Sequence, residues 1–67
     1  MTEAELVATF RKADAGDIDA MKLSFFYLLE LARQFLEADQ IDVFEKTMAQ
    51  AAIYKEKALA VDPTWLV

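Results

Sequence analysis

The sequence predicts an all-α fold: a short N-terminal helix followed by a long antiparallel helical hairpin, a three-helix unit that associates into a larger helical bundle. Three observations point there. Apolar residues recur at alternating spacings of three and four, as in Ile18, Met21, Phe25, Leu28, Ala32 and Phe35. The only glycine, Gly16, and the only proline, Pro63, both stand where such a pattern breaks. The apolar content is 57%, above the roughly 45–50% of ordinary globular chains.

The first helix is expected over about residues 2–14. Thr2-Glu3-Ala4-Glu5 reads as a capping box, with Thr2 as the cap and Glu5 reaching back. Glu3 and Glu5 also suit the positive end of the helix dipole. Leu6, Val7 and Phe10 give it a short apolar stripe, and Gly16 supplies the left-handed residue that ends it.

Asp17 is the natural N-cap of a second helix, expected over 17–38. The third is expected over 41–62, capped by Asp39 or by Asp42, which has Glu45 three residues on. Its apolar face holds Ile41, Phe44, Met48, Ala51, Ala52, Ala58 and Leu59. Lys55 falls inside that face with its ammonium at the rim, and Val43, Tyr54 and Val61 widen it. Alanines at 49, 51, 52, 58 and 60 allow a partner helix to come close. Pro63 stops the helix by pushing Asp62 out of the αR region. The short connection between helices two and three makes them an antiparallel hairpin. The whole chain, 1–67, reads as one helical domain with an apolar tail over 63–67.

The segment "KLSFFYLLELA" (22–32) is apolar almost all round. At about 100° per residue, Ile18, Met21, Phe25, Leu28, Leu29, Ala32, Phe35 and Leu36 share one arc. Asp19, Lys22, Glu30, Arg33 and Glu37 form a charged strip beside it. Leu23, Tyr27 and Leu31 lie on the far side, with Phe26 next to the strip. One partner helix does not cover both sides. Either the first helix closes over the second face, or that face meets another chain, and the second is expected. A chain of 67 residues buries only about 60% of its unfolded surface, so association is a natural remedy.

Composition narrows the chemistry. There is no Cys, hence no disulfide or thiolate site, and no His, the commonest general base and metal ligand. Asp14, Asp17 and Asp19 flank a turn but lack the ligand order of a calcium loop. Glu30 and Glu37 lack the histidines of a di-metal bundle site. Ser24 has no base, and one glycine cannot make a phosphate-binding loop. The expectation is no enzyme, no catalytic residue, no cofactor and no metal. A net charge of −5 with only seven basic residues argues against direct nucleic-acid binding. No window approaches the roughly 20 apolar residues of a membrane span, and no leader pattern opens the chain, so a cytoplasmic protein is expected.

The segment "KALAVDPTW" (57–65) resembles the end of a tetratricopeptide repeat, whose second helix finishes in Ala-Leu-x-x-Asp-Pro. Upstream the likeness stops: Phe35, Asp39 and Asp42 hold the family's Trp, Gly and Tyr positions, and the two helices are longer than the repeat's. No family is assigned.

The functional expectation is a small non-enzymatic interaction module of inhibitor, adaptor or co-chaperone type, docking through apolar helix faces. Its partner is a second copy, another protein, or both. The expected interface comprises Leu23, Phe26, Tyr27, Leu31, Tyr54, Trp65 and Leu66. In Trp65-Leu66-Val67 the chain either offers a docking element or folds back over the open end of the hairpin. Two alternatives are an acidic nucleic-acid mimic that blocks a basic cleft and a structural subunit of a larger assembly. Interleaving of the twelve acids with bases speaks against the mimic.

Overall fold

The computed structural model describes residues 2–66, and Val67 of the apolar tail lies outside the described residues. The fold is all-α: α1 (Glu3–Asp14), α2 (Ile18–Glu37) and α3 (Ile41–Val61). The short α1 precedes two long helices packed against each other as a hairpin.

Local chemistry sets each boundary. Thr2 caps α1 by accepting from the Glu5 amide at 3.2 Å, and its hydroxyl donates to the Glu5 carboxylate. Gly16, at φ 104°, ends α1 in the left-handed conformation. Its amide donates to the Ala13 carbonyl and that of Asp17 to the Lys12 carbonyl, the paired bonds of a Schellman motif. Asp17 then caps α2 through the Ala20 amide at 3.1 Å.

The second junction departs from expectation. Neither Asp39 nor Asp42 caps α3; the N-cap is Gln40, without a side-chain bond. The reason lies in the end of α2, which also closes as a Schellman motif. Asp39 donates to the Leu36 carbonyl and Gln40 to the Phe35 carbonyl, with Asp39 at φ 59° in the glycine position. That closure consumes Asp39, leaves Gln40 at the cap and moves Asp42 into the first turn, where its charge suits the dipole.

Met21, Phe25, Leu28 and Ala32 of the expected α2 seam are buried. The buried arc also takes in Ala20 and Ser24, and leaves Leu36 49% exposed. It is therefore rotated from the predicted arc toward Tyr27. Small residues cause the rotation. Ala20 and Ser24 on α2, with Ala51 and Ala58 on α3 and Ala13 on α1, are all buried where helices meet. Short side chains let the axes approach closely, but they enclose little volume. Among the described residues, the large members of the buried core are Met21, Phe25 and Leu28. The molecule measures 34 × 29 × 15 Å, and its flatness goes with that thin interior.

Candidate interaction surfaces

α1 covers one side of the hairpin. Phe10 stacks on Tyr54 of α3, centroids 5.7 Å apart, and meets Tyr27 of α2 edge-on at 6.3 Å. Such aromatic pairs contribute about 0.5–1.5 kcal/mol each beyond their buried area. Ala13 is buried with Ala20, Met21 and Ala58. An ion pair between Asp14 and Lys57, at 3.6 Å, ties the end of α1 to α3, and the Lys57 ammonium also lies over the Tyr54 ring. Burial pushes the Tyr54 phenol above its ordinary range, helped by the charge of Asp14. Tyr27 and Tyr54 are accordingly half-buried; Leu31 is half-buried too, whereas Leu23 is 53% exposed. Of the predicted Leu23/Tyr27/Leu31 face, α1 reaches Tyr27 and leaves Leu23 outside.

A second feature is built at the C-terminus. Asp62, at φ −130° and ψ 87°, lies outside the helical region that Pro63 disfavours for it, and α3 stops at Val61. Its carboxylate accepts from the Thr64 hydroxyl at 2.7 Å and the Thr64 amide at 3.2 Å, with the Lys22 ammonium 3.6 Å away. The Thr64 hydroxyl first, then its amide and Lys22, holds this carboxyl below the usual carboxylate range. The turn so formed returns Trp65 to the hairpin. The indole meets Phe25 edge-on at 5.4 Å and Phe26 at 5.9 Å, with Lys22 over its ring. Of the two roles foreseen for Trp65, folding back is the one observed. Phe26 is nevertheless 51% exposed, and Leu66, at φ 70°, is exposed as well. Leu23 and Phe26 thus leave exposed apolar surface on the N-terminal half of α2.

A third surface holds none of the residues expected at the interface. It lies on the side of the hairpin away from α1. On α3, Phe44, Ala51 and Ala58 are buried or half-buried, but Ile41, Met48 and Ala52 of the same apolar face are exposed. By helical spacing Leu29 and Leu36 of α2 flank that strip, because they stand across the buried arc from Tyr27 just as Ile41 and Met48 stand across it from Tyr54. The width of the α3 apolar face was the available signal: it exceeds what one partner helix covers. A charged border accompanies this side, where Arg33 binds both Glu30 and Glu37 along the surface of α2. Those two carboxylates hold the guanidinium firmly protonated, and Arg33 in turn keeps Glu30 below the ordinary range.

Among the described residues, no group of three acidic side chains converges as a cation site, and no helix is long and apolar enough to cross a membrane. The class defined by fold and surface is an all-α three-helix protein whose hairpin carries uncovered apolar faces. No protein-family model matches the chain, and neither a curated protein nor a solved structure matches it.

Proposed function

We propose that the chain is a non-enzymatic protein–protein interaction module, of inhibitor, adaptor or co-chaperone type, that docks through apolar helix faces. One observation carries this reading: the large apolar side chains left outside outnumber those inside. Met21, Phe25 and Leu28 are the large buried ones, while Leu23, Phe26, Leu36, Ile41, Met48, Ile53 and Val61 are among those exposed. Single exposed apolar residues are ordinary on soluble proteins, but contiguous patches mark sites of contact. The charges favour apolar docking over mimicry of nucleic acid. Asp14, Glu30, Glu37 and Asp62 each have a basic partner within the chain, the reverse of an unbroken acidic row.

Site-specific photo-crosslinking in the native host tests the proposal. A photoreactive residue replacing Phe26 or Met48 gives discrete adducts, and one replacing Asp19, on the charged strip, gives none. Equal labelling from all three positions would contradict it.

A further inference from the structure

Ile41, Glu45, Met48, Ala52, Lys55 and Leu59 follow one another along α3 at spacings of four, three, four, three and four. That is the seam of a left-handed helix pair. Within its own fold the seam has no partner helix. Ile41 is 43% exposed and Met48 37%, Ala52 is exposed, and Leu59 is half-buried. Glu45 and Lys55 are exposed, and neither forms an ion pair among the described residues.

The order of residues in the seam is self-complementary. Against a reversed copy of itself, Ile41 falls opposite Leu59, Glu45 opposite Lys55, and Met48 opposite Ala52. Every layer then pairs apolar with apolar or acid with base, and the long Met48 faces the smallest side chain in the row. A parallel arrangement sets Glu45 against Glu45 and Lys55 against Lys55. A slip of one heptad separates the two charges. Charged residues in an apolar seam cost stability, but they select orientation and register. Here both select the same arrangement.

We infer that the occupant of this face is a second copy of the chain, with α3 packed antiparallel on its two-fold mate through Glu45–Lys55 pairs. The inference rests on the interaction-module reading and names the partner. Two-fold packing is also the commonest way for a single chain to close an apolar surface. From Ile41 to Leu59 the seam runs about 27 Å at 1.5 Å per residue. With Leu29 and Leu36 of α2 alongside, the face is two helices wide, on the order of 500 Å² per copy. Two such faces reach the roughly 1,000 Å² that a specific interface needs. The dimer is then a four-helix bundle of two stacked hairpins, with each α1 on the outside.

Charge reversal in the full chain tests the arrangement by sedimentation equilibrium across the micromolar range, with circular dichroism as the check on folding. The unaltered chain forms a dimer. Glu45→Lys and Lys55→Glu each weaken it on the order of tenfold, because two attractive contacts become repulsive. The double variant Glu45→Lys/Lys55→Glu recovers the original association. An equimolar mixture of the two single variants also recovers it, because each copy then supplies what the other lacks. Single variants that associate like the original chain, or a mixture no better than its components, would overturn the antiparallel register. A chain that stays monomeric throughout would overturn the second-copy occupant. Adducts from position 48 to a different protein would, in that event, leave the interaction-module reading standing.

Discussion

The two sides of the hairpin carry similar residue types and meet different fates. On one side Phe10 and Ala13 of α1 lie over Tyr27, Tyr54, Ala20 and Ala58. On the other, Leu36, Ile41 and Met48 face outward. The covered side ends in aromatic stacking and an Asp14–Lys57 pair, which hold a third helix. The open side ends in a regular seam with an acid and a base in matching positions. Irregular aromatic contacts suit a helix tethered by a short turn. A regular seam suits a partner that arrives whole. The contrast teaches that apolar content alone does not locate an interface; the periodicity of what is left uncovered does.

The largest effects belong to the covered side and the centre. Phe25→Ala empties the middle of the core and lowers stability by about 3–5 kcal/mol, which for a marginal domain means loss of the cooperative melt. Phe10 is only half-buried, so Phe10→Ala costs less, about 2 kcal/mol, and exposes Tyr27 and Tyr54 together. Urea melts followed by circular dichroism measure both, and tyrosine fluorescence reports the exposure. If Phe10→Ala leaves the melt unchanged, α1 does not stabilise the hairpin and the covered side is not core.

A smaller change of opposite sign is expected at Ser24. The residue is fully buried, and its hydroxyl has no hydrogen-bond partner among the described residues. An unpaired buried hydroxyl costs free energy that a methyl group of similar size does not. Ser24→Ala therefore raises stability by about 1 kcal/mol, read from the same melts. A loss would show that the hydroxyl has a partner that holds the helices together.

The smallest effect is the response of the C-terminal turn to acid. The Asp62 carboxyl lies below its ordinary range in the folded chain, held there first by the Thr64 hydroxyl. Its contribution is thus complete above the ordinary carboxylate range and fades as pH falls through the lowered value. The group is exposed, so the global melt barely moves, but Trp65 loses its anchor. Its fluorescence shifts to the red on acidification ahead of any loss of helicity. Asp62→Ala shows that shift already at neutral pH. Simultaneous loss of both signals would mean that the turn is no separate unit.

Much of this arrangement is legible in the residues, because helix ends announce themselves chemically. Thr2 with Glu5, Gly16 with Asp17, and Asp62 with Pro63 each state a boundary within a residue or so. The cap of α3 is not legible, since Asp39 takes a conformation usually left to glycine. The buried seam through Met21, Phe25, Leu28 and Ala32 follows from spacing alone. Its rotation toward Ala20 and Ser24 does not, because small residues send no apolar signal and act through how closely they let helices approach. The position of α1 is equally hidden. Three apolar side chains on a short helix do not say which of Leu23, Tyr27 and Leu31 they cover, and only the contacts of Phe10 decide it. The apolar tail is readable as apolar, whereas the return of Trp65 depends on the Asp62–Thr64 turn.

One paired measurement tests the division of the hairpin most directly: thermal unfolding and sedimentation of Met48→Lys beside Phe10→Ala, both at low micromolar concentration and above. Met48→Lys is expected to keep full helicity and the dilute-chain melt within about 0.5 kcal/mol, as exposed substitutions do, while losing self-association. Phe10→Ala is predicted to lower the dilute-chain melt at once. If Met48→Lys unfolds the dilute chain as Phe10→Ala does, the side away from α1 is core and not an interface.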